Sequence, residues 1–160
     1  MSGSWWLTGL PAVHGRVAGG NTPWGMKVVP VDDGLEDPVG TIELTEATFE
    51  ETVTGHGIVL VDWWASWCGP CRAFAPVFED AAAQHGDIVF AKVDTESEQR
   101  LAAMAGIMSI PTLMAFREGV LVFSQPGALP AAMLEDLIGR VRALDMDEVH
   151  GAVATQSGAR

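Results

Sequence analysis

A run of apolar residues leads almost directly into a pair of closely spaced cysteines. Ile58-Val59-Leu60-Val61-Asp62-Trp63-Trp64-Ala65 holds a single charge among otherwise apolar side chains. A run of that kind suits a strand buried on both faces, in a sheet covered by helices on either side. Trp67-Cys68-Gly69-Pro70-Cys71 follows, and then Phe74, Val77, Phe78, Ala81 and Ala82 recur at helical spacing toward His85. A buried strand, a tight turn and an amphipathic helix in that order point to an α/β architecture.

The stretch from Thr41 to Asp145 continues this pattern. Thr41–Leu44 reads as a short strand, and Thr45 as the N-cap of a helix running toward Thr54, with Gly55 and Gly57 behind it. Ile88–Val93 reads as a second buried strand. Ser97 is expected to cap a short helix that ends at Ala105 before Gly106. Thr112–Phe116 and Val120–Ser124 flank Arg117-Glu118-Gly119, a three-residue hairpin loop with glycine at its end. Pro130 opens a last helix with Leu134, Leu137, Ile138, Val141 and Leu144 on one stripe. Pro76 lies inside the second helix and is expected to kink it, because it removes a backbone donor and crowds the preceding turn. The order β-α-β-α-β-α-β-β-α implies a mixed central β-sheet flanked by helices on both faces.

The ends read differently. Residues 1–40 have no sustained period and are dense in Gly and Pro, so they are expected to be a disordered extension, dispensable for any chemistry of the domain at 41–145. The start lacks basic residues, and Pro11 cuts the apolar patch Trp5–Leu10, which argues against a secretory signal. Two accounts of the extension stay open: a docking segment using Trp5, Trp6 and Trp24, or a misassigned start with Met26 as the true first residue. Residues 146–160, rich in Gly, Ala, Ser and Gln, read as a flexible C-terminal tail.

Composition removes several function classes. The formal net charge is −12 with only nine Lys and Arg, so binding nucleic acid through phosphate neutralisation is not expected. No apolar run approaches the roughly 18 residues of a membrane span. Two cysteines cannot form a four-cysteine zinc site, and His14, His56, His85 and His150 show no zinc-knuckle spacing, so no metal is expected.

The position of the two cysteines gives their chemistry. Cys68 stands at or just before a helix N-terminus, where unpaired amides and the helix dipole favour a thiolate. Three residues apart in a first turn, Cys68 and Cys71 face the same side, so their sulfurs can close into a disulfide with little movement. Gly69 keeps the turn tight, and Pro70 suits an early helix position that needs no donor. A C-x-x-C pair beside a βαβ pattern reads as redox-active; a plain structural disulfide would not need this position or the neighbouring Trp67. Asp62, a lone carboxylate in a buried run, should resist ionisation and could serve as general acid or base for a thiol behind Cys68; the competing reading is an aspartate at a strand edge facing water. Lys92 either lies beside it on the adjacent strand, opposing that resistance, or is a solvated strand-end lysine. Trp64 is expected in the core and Trp67 on the rim, where an aromatic can shield a thiolate and touch partners.

The domain at 41–145 resembles the thioredoxin family. Trp67-Cys68-Gly69-Pro70-Cys71 is similar to the family's whole active-site motif; Val61–Ser66 resembles the strand leading into it and Ala91-Lys92-Val93-Asp94 the following strand. Gly106-Ile107-Met108-Ser109-Ile110-Pro111-Thr112 resembles the segment bearing a cis proline, and Pro126-Gly127-Ala128 the last glycine loop. Trp63 stands where phenylalanine is common, and Met108-Ser109 where a basic residue and glycine are frequent. The resemblance implies a thioredoxin fold and a dithiol–disulfide oxidoreductase with Cys68 as nucleophile, Cys71 as resolving thiol and Asp62 as general acid/base, with Lys92 as its modulator. It implies a cis bond at Ile110–Pro111, although base rates for X-Pro favour trans. Substrate binding then falls to Trp67, Gly69, Pro70, Ile110, Pro111 and Gly127. It further implies a cytoplasmic monomer with no bound cofactor, acting on disulfide-containing protein substrates in electron transport and cell redox homeostasis. A thioredoxin reductase drawing on NADPH would regenerate it, because this sequence has no Gly-rich dinucleotide fingerprint of its own. Two alternatives remain: an oxidant or isomerase of the same fold, which usually carries a histidine between the cysteines, and a binding subunit whose cysteine surface only docks partners.

Overall fold

The computed structural model describes residues 40–158. Five strands form one sheet in the order β1-β3-β2-β4-β5. They are β1 (Thr41–Glu43), β2 (Ile58–Trp64), β3 (Val89–Asp94), β4 (Thr112–Arg117) and β5 (Val120–Pro126). The helices are α1 (Glu46–Gly55), α2 (Gly69–Gln84), α3 (Gln99–Met104), α4 (Ala131–Ala143) and α5 (Met146–Gly158). Strands β1, β3 and β2 are parallel; β4 runs antiparallel to β2, and β5 antiparallel to β4, so β4 alone opposes the other four. This is the expected mixed sheet.

Strand β2 is central because it is apolar toward both layers. Val59, Val61 and Trp63 point into a cluster with Val53 of α1 and Leu101 of α3. Leu60 points the other way, into a cluster with Phe74 and Phe78 of α2 and Leu134 and Ile138 of α4. Alternation along the strand therefore assigns Asp62 to the face that α2 covers. Helix α2 continues through Pro76.

Helix α1 starts at the expected Thr45, through a reciprocal box in which Thr45 N–H donates to Thr48 Oγ1 at 3.0 Å. The cap of α3 differs from expectation: Glu98, not Ser97, is the N-cap. Asp94 takes the competing bonds, accepting from the Glu96 amide at 2.9 Å and the Ser97 hydroxyl at 3.2 Å, so a turn occupies the residues expected to begin the helix. The hairpin loop is also shorter than expected. Arg117 pairs with Val120, leaving Glu118 and Gly119 as a two-residue turn with φ of 50° and 78°, the geometry of a type I′ turn.

Where the sequence pattern suggested a flexible tail over 146–160, Met146–Gly158 is helix α5. Its start signal is Asp145, whose Oδ1 accepts from the amides of Asp147 at 3.0 Å and Glu148 at 3.3 Å. Only Met146 on it is buried, so it lacks the apolar stripe that reveals a helix in sequence. The expectations for the N-terminal extension lie outside the described residues.

Arg117 ties the sheet to α4. One guanidinium nitrogen, Nη1, donates to the carbonyls of Val141, Arg142 and Leu144 at 2.6, 2.8 and 2.8 Å, at the C-terminal end of the helix, where a positive charge is favoured. Arg117→Ala is expected to cost about 2–3 kcal/mol, because charged hydrogen bonds are lost and partly buried acceptors are stranded. A denaturant midpoint unchanged from the parent protein would refute this.

Candidate active site

Cys68 is the N-cap of α2, and Gly69 and Pro70 form its first turn. The Cys71 amide donates to Cys68 Sγ at 3.2 Å, so the sulfur takes the place of a capping oxygen. The two cysteines form a disulfide with a Cα–Cα distance of 5.3 Å. Both are nearly inaccessible, at 4% and 3% exposure. Cys68 thus meets solvent over a small part of its surface, while Cys71 begins the buried face of α2.

The loop before β4 lies against this pair. The Ile110–Pro111 bond is cis, and the Ile110 carbonyl oxygen is 3.8 Å from Cys68 Sγ. Pro111 has no amide hydrogen, but its carbonyl accepts from the Gly127 amide at 2.8 Å. Gly127 has φ of +100°, which a side chain would strain. Trp67 is 66% exposed, and its indole N–H donates to Glu96 Oε1 at 3.1 Å. An open groove of about 650 Å³ is lined by Cys68, Trp67 and the Met108–Ile110 segment. Of the expected substrate-binding residues, Trp67, Gly69, Pro70 and Ile110 line it.

Asp62 is fully buried, and neither carboxylate oxygen has a hydrogen-bond partner among the described residues. The strand-edge reading is thereby excluded. Burial pushes its pKa up from 3.8 to about 7, against the opposing Lys92 ammonium and with help from Glu43. Sheet register explains the grouping. Glu43 of β1, Lys92 of β3 and Asp62 of β2 are successive partners across three strands and share one face. Lys92 is not a solvated strand end. Its side chain is 13% exposed, its Nζ lies 4.9 Å from the Trp64 ring centroid, and Glu79 Oε1 of α2 is 4.0 Å away. Burial also raises the pKa of Glu43, opposed by Lys92 and reinforced by Asp94.

Glu43, Glu79 and Glu96 were not singled out in the sequence. Glu43 and Glu79 join the buried charges only through strand register and helix docking, and Glu96 meets Trp67 across 29 positions. Among the described residues no group of three or more His, Cys, Asp or Glu side chains is placed to hold a metal ion. No helix among them is long and apolar enough to cross a membrane.

The thioredoxin family model matches residues 40–140. The chain belongs to the thioredoxin family. It is 60% identical over 116 residues to the Streptomyces coelicolor protein named "Putative thioredoxin 2", covering 72% of this chain and 87% of that one. It is 44% identical over 96 residues to a thioredoxin of Alicyclobacillus acidocaldarius, covering 59% and 91%. Among solved structures, a mutant thioredoxin from Halobacterium salinarum superposes with a TM-score of 0.65 at 32% identity, covering 70% of this chain and 99% of that one. Thioredoxin F from spinach chloroplast gives 0.61 at 30% identity, covering 66% and 96%. The fold is the thioredoxin fold. As a member of the family with its cysteine pair in place, the chain is a dithiol–disulfide oxidoreductase acting on protein disulfides.

Proposed function

We propose that the chain works as a protein-disulfide reductase, with Cys68 as attacking thiolate, Cys71 as resolving thiol and Asp62 as its proton acceptor. The observation that carries this reading is the capping geometry: Cys68 Sγ accepts the Cys71 amide at the start of α2, where partial positive charge favours a sulfur anion. In the reduced protein, the Cys68 thiolate attacks one sulfur of a substrate disulfide. The substrate S–S bond breaks, a mixed disulfide forms, and the first substrate thiolate leaves and takes up a proton from solvent. Asp62 then accepts the Cys71 proton. The Cys71 thiolate attacks Cys68 Sγ, the mixed disulfide breaks, and the second substrate thiolate leaves and is protonated. Two electrons and two protons pass to the substrate, and the protein is left with the Cys68–Cys71 disulfide.

Trp67, Gly69, Pro70 and Ile110 line the groove that would hold the substrate, with Pro111 and Gly127 fixing the backbone behind it. The Ile110 backbone is available to pair with an extended peptide. Lys92 modulates Asp62 by favouring its ionised form. Regeneration falls to a thioredoxin reductase using NADPH, in a reducing compartment such as the cytoplasm, with the chain acting as a monomer. Insulin reduction tests activity and electron source together. The expected result is insulin precipitation with NADPH consumption that requires both the chain and the reductase. A reductase that is active on another thioredoxin but leaves this one oxidised would overturn that electron source.

A further inference from the structure

The wall of the groove carries no ionisable side chain other than the cysteines, although the whole chain has a net charge of −12. Met108 stands on that wall and is 95% exposed, the highest value among the large apolar side chains described as exposed. A side chain so open contributes almost nothing to the core and is free to touch whatever enters the groove that it lines. It sits two residues before Ile110, whose carbonyl oxygen is 3.8 Å from Cys68 Sγ. An extended peptide advances about 3.3 Å per residue. A substrate strand pairing with Ile110 would pass Met108, which lines the same groove, and bring a side chain about two positions from its reacting cysteine close to it.

We propose that Met108 sets the substrate preference of this groove, favouring protein disulfides flanked within two residues by a large apolar side chain. The inference rests on the disulfide-reductase reading above. An apolar flanking residue gains by covering the thioether, while a polar one gives up water against a sulfur that accepts hydrogen bonds only weakly. Methionine is unbranched and polarizable, so it repacks around differently shaped side chains. Met108 therefore discriminates by polarity and not by shape.

The test uses the full-length chain, reduced and freed of reductant, in single turnovers against short peptides with one internal disulfide. The peptides differ only at the residue two positions from a cysteine, which is Leu, Phe or Ser. Acid quench and chromatography give second-order rate constants. The Leu and Phe peptides are expected to react within about twofold of each other and about tenfold faster than the Ser peptide. Met108→Ser should bring all three together, and Met108→Leu should preserve the gap between Leu and Ser. A gap that survives Met108→Ser, or equal rates in the parent chain, overturns the proposal and leaves the reductase reading standing. A reduced parent chain that reduces none of the peptides overturns both.

Discussion

Cys68→Ser is expected to abolish disulfide reduction, whereas Cys71→Ser is expected to arrest the chain as a stable mixed disulfide with its substrate. The asymmetry follows from helix position. Cys68 is the N-cap whose sulfur receives an amide hydrogen bond at 3.2 Å, while Cys71 lies inside the first turn and supplies that amide. Losing the nucleophile should reduce the rate by more than about a thousandfold, toward background thiol exchange. Losing the resolving thiol leaves the first attack intact and removes the only step that releases substrate. Mass spectrometry of each variant after exposure to a substrate disulfide should find a covalent adduct with Cys71→Ser and none with Cys68→Ser. Alkylation of the reduced parent protein gives an independent check: a faster reaction at Cys71 near neutral pH would reverse the two roles.

Asp62→Asn should slow resolution and, at the same time, stabilise the fold. With a folded pKa of about 7, Asp62 becomes a proton acceptor as pH rises through neutrality. In the parent protein, decay of the mixed disulfide should therefore accelerate up to about pH 7 and then level off. The asparagine variant should lose that rise and slow by about a hundredfold at the plateau, the lower range for general acid–base assistance. The stability effect has a definite sign. Asp62 holds its proton more tightly folded than unfolded, so its ionisation destabilises the native state as pH rises from about 4 to about 7. Below the unfolded value this cost is absent, and above the folded value it is constant. The separation from 3.8 to about 7 corresponds to about 4 kcal/mol. The gain in the variant should be smaller, since a buried amide also lacks partners there. Urea unfolding of oxidised protein at pH 5 and pH 8 measures it. An asparagine variant with unchanged resolution and no gain at pH 8 would make Asp62 neither a proton acceptor nor a buried charge.

These two expectations draw on different levels of the molecule. The cysteine pair was legible because its geometry is local: three residues of separation, a proline suited to a first turn and the preceding apolar strand together place Cys68 at a helix start. The mixed sheet was legible for a related reason. Runs buried on both faces and stripes at helical spacing record which sides of each element meet the core, and those periods set the layers. Element ends were less legible. Asp94 displaced the expected cap of α3 by bonding its own neighbours, and α5 lacked an apolar stripe to announce it.

The environment of Asp62 shows what only the tertiary structure decided. The sequence placed a carboxylate in an apolar run and allowed it to face either water or the core. Complete burial, Lys92 beside it, Glu43 one strand further and the pairing of Lys92 with Glu79 of α2 all depend on strand order and helix docking. The same holds for the approach of Ile110 to Cys68 across 42 positions and of Gly127 to Pro111. Local sequence determined the reactive pair and the periodicity of the elements, because hydrogen bonding and burial patterns within a turn or strand depend on neighbours in the chain. The charge state of Asp62 and the shape of the groove were decided by long-range packing, because desolvation and Coulomb interactions depend on distance in space and not on separation along the chain.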